Sequence, residues 1–244
     1  MKIFTTAAIK GGTGKSTTAA ALSQAAAASG KKVLAIDLDP AGNLSMMLGA
    51  DLNTGGSYYL LHGEDPADLI QKTEQGVDVI PGSPNLATEV SKTGSAFRLQ
   101  DALEPIRARY QFIFIDTPPT MGELVYNALQ ASTGLIIPLE ADTSSVQGLY
   151  RICDVARGIS KTNQELKITG VILTRYDSRP KLNKYLRDSI EAAGKEVGAP
   201  FLGVIRPGVA IKESQALRQS LYLYAPKSKP AQDYMDIFKA IARK

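Results

Sequence analysis

The chain has 244 residues, 44% of them hydrophobic, enough to bury a substantial core and better suited to one α/β domain than to two. Its net charge of +4 is too mild to argue for nucleic acid by itself, although residues 161–230 hold 13 basic and 6 acidic side chains. A single cysteine, Cys153, excludes an internal disulfide or a thiolate-built metal or iron–sulfur site, and a single histidine, His62 beside Gly63, argues against a His-based metal centre or triad.

Short apolar runs alternate with amphipathic stretches along the chain, the pattern of a parallel sheet covered by helices. A strand over Lys2–Ile9 opens the sequence, and an alanine-rich helix over Lys15–Ser29 follows, stopped by Gly30. A second strand spans Lys32–Asp37. Residues 50–95 are the least regular, with Gly55-Gly56, Pro66, Pro81 and Pro84, and contain one strand, Val77–Pro81. Beyond them the spacing predicts a helix over Leu99–Ala108, a strand over Gln111–Asp116 and a helix over Glu123–Ala131. Strands over Gly134–Pro138, Ile168–Thr174 and Phe201–Ile205 then alternate with helices over Val146–Ile159, Leu182–Ala193 and Ala231–Ala242. No leader segment opens the chain and no run approaches the roughly 18 apolar residues of a membrane span, so the expectation is a cytoplasmic protein without a membrane partner.

Three segments carry chemistry. Lys10-Gly11-Gly12-Thr13-Gly14-Lys15-Ser16-Thr17 lies between the first strand and first helix, where glycines let backbone N–H groups turn inward around a phosphate chain. In such a loop Lys15 supplies a point charge to the β- and γ-phosphates and the Ser16 hydroxyl can ligate Mg²⁺. The usual G-x-x-x-x-G-K-[ST] spacing fails, because Ile9 stands at the first glycine position, and Lys10 adds a second cation. Val33 to Pro40 forms a buried strand ending in Asp37 and Asp39, at the strand edge where ligands sit in open α/β sheets. Carboxylates there can hold Mg²⁺ through water or orient an attacking water. Phe112-Ile-Phe-Ile-Asp116-Thr-Pro-Pro119 is an apolar strand ending in an acid suited to anchoring the hydration shell of Mg²⁺.

Taken together, Lys10 to Thr17, Asp37-Leu-Asp-Pro-Ala-Gly-Asn43 and Asp116-Thr-Pro-Pro119 resemble the motifs of the ParA/MinD family of deviant Walker ATPases. Leu173-Thr-Arg-Tyr-Asp177, Val204-Ile-Arg-Pro207 and Ser228 to Tyr234 resemble the later landmarks of ParA partition proteins that lack an N-terminal helix-turn-helix. The resemblance implies a single P-loop NTPase domain over residues 1–244, a doubly wound, mostly parallel sheet flanked by helices, with residues 50–95 a variable, insertion-like region. It also implies ATP and Mg²⁺ as ligands. Lys10 would cross to the partner's nucleotide in an ATP-sandwiched homodimer, and Lys15 would hold the β/γ-phosphates within a loop of Gly11, Gly12, Thr13 and Gly14. Ser16 would bind Mg²⁺, Thr17 the α-phosphate, and Arg206 and Pro207 would join the nucleotide site. Asp39 would position the attacking water, Asp116 would hold Mg²⁺ through water, and Asp37 is a further water-mediated candidate. Two departures stand out: Ala41 replaces the family's Gln after Asp-Pro, and Ala210 replaces a family arginine that contacts DNA.

The resemblance further implies binding to double-stranded DNA without sequence preference and release by a ParB-like adaptor. On a helix over Leu182–Ala193, Leu182, Leu186, Ile190 and Ala193 share one face, with Lys181, Lys184 and Arg187 outside it. Arg175 and Arg179 precede this helix, and Arg206 and Lys212 are further candidates for phosphate contacts. A solvated helix face accounts for the same spacing. Two other readings remain open at this level. Thr174-Arg-Tyr-Asp177 is one residue from the [NT]-K-x-D guanine-recognition pattern, which would admit GTP. A MinD-like or cargo-positioning ATPase would act on a membrane or a protein assembly, whereas Tyr234, Ile237, Phe238 and Ile241 read more simply as core contacts than as a lipid-facing stripe.

Overall fold

A computed structural model describes residues 1–89 and 94–243. Eight strands form one sheet in the order β3-β4-β2-β5-β1-β6-β7-β8. They are β1 (Lys2–Thr6), β2 (Val33–Asp37), β3 (Gln71–Lys72), β4 (Asp78–Ile80), β5 (Phe112–Asp116), β6 (Gly134–Leu139), β7 (Lys167–Leu173) and β8 (Phe201–Val204). All pairings are parallel except that of β3 with β4. The central strands read as unbroken apolar runs because helices cover both faces of the sheet, so neither face alternates with polar residues. In β2 and β5 every residue is buried, including the closing Asp37 and Asp116.

The helices are α1 (Lys15–Ala28), α2 (Asn43–Leu48), α3 (Gly56–Leu60), α4 (Pro66–Leu69), α5 (Arg98–Leu103), α6 (Glu123–Gln130), α7 (Ser145–Ile159), α8 (Lys181–Glu196), α9 (Val209–Ala216), α10 (Leu221–Tyr224) and α11 (Lys229–Arg243). The alanines of α1 let it lie close against the sheet: Ala19 to Leu22, Ala25 and Ala26 are all buried in one cluster with Phe4, Phe114 and Tyr234. All seven strands expected from the sequence form. The sixteen-residue α8 and fifteen-residue α7 and α11 were legible because each spans several turns of apolar spacing. The short α2, α3, α4, α9 and α10 and the two-residue β3 were not expected, since they offer too few residues to show a period. The helix expected over Leu99–Ala108 ends at Leu103, and a 3₁₀ turn follows at Arg107–Arg109. Pro105 between them has no N–H to continue the helical ladder.

Along α11, Tyr234, Ile237, Phe238 and Ile241 are all buried against α1 and the sheet, so this apolar stripe belongs to the core. Among the described residues no helix is long and apolar enough to cross a membrane.

Candidate functional site

The sheet order brings the three chemistry-bearing segments to one edge. β5 lies between β2 and β1, and their registers align Thr6, Asp37 and Asp116 side by side at the C-terminal ends of the strands. That is also where β1 gives way to the glycine loop. Gly12 and Gly14 adopt φ of 78° and 87°, which only glycine takes without strain, and they fold the loop back so that α1 begins at Lys15. Gly14 is the N-cap and offers no side chain, leaving the first-turn N–H groups of α1 for an anion. The loop is braced from just beyond β7, where the Thr174 hydroxyl donates to the Thr13 carbonyl at 2.8 Å.

A cleft of about 480 Å³ opens here, lined by Gly11, Gly12, Gly14, Lys15, Ser16 and Thr17 on one side and by Asp39, Ala41 and Pro119 on the other. Lys15 is buried. Desolvation pulls its ammonium below the usual lysine range, and the carboxylates of Asp116 and Asp39 oppose that pull. Asp116 is fully buried, and desolvation, reinforced by Asp37, raises its carboxyl well above the usual range, while Ser16 and Lys15 act in the other direction. One oxygen, Oδ1, accepts from the Thr6 hydroxyl at 3.3 Å, and Oδ2 completes no hydrogen bond among the described residues. A fully buried carboxylate oxygen without a partner is rare, and beside a lysine and a serine hydroxyl it suits a hydrated cation.

Asp37 is differently placed. Its Oδ1 accepts from the Asp39 N–H at 3.0 Å, and its Oδ2 accepts from the Ser45 N–H at 2.9 Å and the Ser45 hydroxyl at 2.7 Å. Burial pushes its carboxyl up to about 6. Both oxygens are engaged in shaping the loop, so Asp37 is an organising residue in this structure, and it is not among the residues lining the cleft. Residues from the irregular region close round it: the Ser57 hydroxyl donates to the Asp37 carbonyl at 2.5 Å, and Gly82 N–H donates to the Ser45 hydroxyl at 2.9 Å. Asp39 stands at the cleft wall, its Oδ1 accepting from Ala41 N–H at 3.0 Å.

A second, smaller cavity of about 210 Å³ adjoins the cleft, sharing Gly14, Thr17 and Arg175 with it and adding Arg206, Pro207 and Gln215. Asp177, the last residue of the guanine-like pattern, lines neither cavity; both its oxygens accept from Arg179. Lys10 also lies outside the cleft, its Nζ 2.5 Å from Asp142 Oδ2, and this contact holds the Asp142 carboxyl down at about 2. A depression of about 870 Å³ at the opposite end of the sheet, beside Lys2 and Phe112, is lined by none of the glycine-loop residues and by neither Asp39 nor Asp116.

Residues 1–168 match the family model described as AAA domain. The chain is 34% identical to the sporulation initiation inhibitor protein Soj of Bacillus subtilis, over 96% of this chain and 95% of that protein. It is 35% identical to the chromosome partitioning protein ParA of Caulobacter vibrioides, over 99% and 94%. The chain belongs to the ParA family of P-loop ATPases. The structure of cobyrinic acid a,c-diamide synthase from Mycobacterium smegmatis with bound ADP and magnesium has the same fold, with a TM-score of 0.82, 27% identity and coverage of 100% and 94%.

Within this ParA-family frame the basic residues expected to form one DNA-facing set are divided. Lys181 and Lys184 on α8 are exposed, as are Arg179 before it and Lys212 on α9. Arg179 is 87% exposed and paired with Asp177. Arg187 instead lies against α8's own Glu191, with Nε to Oε1 at 2.6 Å, and over the Phe201 ring at 5.1 Å. Arg206 forms a two-pronged pair with Asp233 of α11. Arg175 turns to the glycine loop, touching the Gly12 carbonyl and Glu140. The expected apolar face of α8 holds at Leu186, Ile190 and Ala193, but Leu182 is 62% exposed. Leu182 sits in the first turn of the helix, with Tyr185 also exposed beside it.

Sequence reasoning missed Ser45, Glu140 and Asp142, and it noted Thr174 only within the guanine-like pattern, not as a brace of the glycine loop. The two acids had a readable signal: Glu140-Ala141-Asp142 follows β6 directly, at the ligand-bearing edge of the sheet. The contacts of Ser45 and Thr174 had none, since their partners lie 8 and 161 residues away.

Proposed function

We propose that this chain is a partition ATPase that binds ATP with Mg²⁺, pairs with a second copy across the bound nucleotides, and coats DNA without sequence preference until a ParB-like adaptor stimulates hydrolysis. The observation that carries the ATPase reading is the single cleft in which a glycine loop, a buried Lys15 and the unpartnered Oδ2 of Asp116 converge. Ser16 and Asp116 would hold Mg²⁺, Asp116 through water, and the ion supplies charge neutralisation to the β- and γ-phosphates. Lys15 neutralises the same phosphates, and its burial strengthens that interaction by excluding water. The Asp39 carboxylate at the cleft wall orients the attacking water. Lys10, outside its own cleft, is free to exchange Asp142 for a phosphate of the facing copy, coupling hydrolysis to pairing.

ATP is favoured over GTP because Asp177 is turned to Arg179 and absent from both cavities. The partition reading draws on the relatives named as Soj and ParA. DNA contact is assigned to the exposed Arg179, Lys181 and Lys184, whose charges need only meet phosphates. The protein is then a cytoplasmic one that gathers on the nucleoid when ATP-bound. A mobility shift on random duplex with ATP, ADP or no nucleotide tests this, using wild type and Asp39→Ala. Shifts should occur with ATP only and strengthen in Asp39→Ala. Binding that ignores nucleotide, or none by either protein, would refute it.

A further inference from the structure

Thr174-Arg-Tyr-Asp177 drew attention in the sequence, and the proposed function uses neither of its first two residues. The backbone there is pinned on both sides of Arg175. Thr174 N–H donates to the Leu139 carbonyl at the end of β6 at 2.7 Å, and Tyr176 N–H donates to the Ile205 carbonyl after β8 at 2.9 Å. Between these anchors Arg175 adopts φ of 51°, a left-handed conformation that glycine would take without strain. An arginine held there is tolerated only because its surroundings over-determine it, and such residues gather at ligand sites. The consequence of the twist is directional: the side chain runs to the glycine loop instead of joining Arg179 and Lys181 on the outer surface.

Its guanidinium contacts the Gly12 carbonyl and the Glu140 carboxylate, and the residue is a wall of both the phosphate cleft and the adjoining cavity. Gly14 and Thr17 are the other residues common to the two. With the phosphate chain in the cleft and the nucleoside in the adjoining cavity, Arg175 would stand at their junction. More than half of its side chain remains exposed, so it can leave Glu140 for a stronger anion.

We propose that Arg175 is a nucleotide-binding residue whose guanidinium exchanges Glu140 for the phosphate nearest the nucleoside of a bound nucleoside di- or triphosphate. The proposal rests on the nucleotide reading of the cleft. Glu140 is then a placeholder that keeps the cation at the mouth of the site before the ligand arrives. Planar guanidinium and phosphate oxygens match as paired donors and acceptors, and the interaction is charge-assisted.

Equilibrium binding of fluorescent MANT-ADP and MANT-ATP with Mg²⁺ tests it in wild type, Arg175→Met, Arg175→Gln and Arg175→Lys, with Lys15→Ala as control. Arg175→Met should bind both nucleotides about 10- to 100-fold more weakly, the range of one lost charge-assisted contact. Arg175→Lys should recover much of that loss, because it keeps the charge, whereas Arg175→Gln should not. Recovery by Gln equal to that by Lys would make Arg175 a neutral brace of the Gly12 carbonyl and overturn the proposal. So would Arg175→Met affinity within twofold of wild type, while Lys15→Ala still lost binding; the nucleotide reading would then survive alone. Failure of wild type to bind, or Lys15→Ala binding as wild type does, would overturn both. Should Arg175→Met not fold, the Lys and Gln pair decides.

Discussion

Replacing Lys10 with alanine separates stability from assembly. Lys10 and Asp142 are joined at 2.5 Å, but their side chains are 45% and 33% exposed, so solvent screens the pair. Exposed pairs contribute about 0.2–1 kcal/mol, which for a chain of this size limits the fall in Tm to about 4 °C. The proposed dimer asks far more of the same residue. Each Lys10 would make a charge-assisted contact of about 1.5–3 kcal/mol with the facing nucleotide, and two-fold symmetry doubles it to about 3–6 kcal/mol. That corresponds to a loss of about 10²- to 10⁴-fold in dimer affinity. Asp142→Asn should act oppositely, since the nucleotide-free protomer no longer competes for Lys10, and should tighten the dimer by up to about 30-fold. Sedimentation velocity with ATP in an Asp39→Ala background reads both variants, with urea unfolding of the nucleotide-free proteins alongside. Dimerisation of Lys10→Ala at wild-type concentrations would refute the reasoning. A stability loss much above 1 kcal/mol would show instead that Lys10 supports the fold.

Other outcomes follow from the same geometry. Asp116→Asn removes a fully buried carboxylate whose Oδ2 has no partner, so Mg²⁺-dependent ATP hydrolysis should fall by about 10²-fold or more while the nucleotide-free protein keeps its stability at pH 7. A marked drop in the unfolding midpoint would contradict that account. Arg179→Ala with Lys184→Ala should weaken duplex binding for all sequences and lower the slope of log affinity against log salt by about 2; an unchanged slope places the DNA elsewhere. For Asp37, burial raises the folded-state pKa from 3.8 to about 6. The protonated carboxyl therefore favours the fold below the unfolded value, and that contribution is lost as pH rises through about 6. Relative to Asp37→Asn, wild type should lose about 2 kcal/mol between pH 4 and pH 7 in denaturant titrations, most of the shift from 3.8 to about 6 at about 1.36 kcal/mol per unit. A difference independent of pH would show that Asp37 stays ionised.

Much of the fold was readable because its signals are local. Apolar runs such as Phe112 to Ile115 need no knowledge of their neighbours to be read as buried strands, and the small residues at 11–14 demand a tight strand-to-helix turn wherever they fall. What stayed hidden was short or depended on distant partners: α2 and α9 offer about two turns each, and β3 exists only by pairing with β4. The division of the basic residues was hidden for the same reason. Arg175 and Arg179 are four positions apart and chemically identical, yet one reaches Gly12 and the other Asp177.

That a phosphate-binding turn follows the first strand and that acids close two later strands could be read from the chain alone, because glycine content and apolar-run-then-acid order are local properties. Which acid keeps an open oxygen was settled by folding. Asp37 and Asp116 end equivalent strands and lie in register as neighbours. Ser45 and the Asp39 N–H engage both oxygens of the first, whereas among the described residues nothing engages Oδ2 of the second. The difference is one of hydrogen-bond saturation in a buried place, and that is set by what folds against each carboxylate.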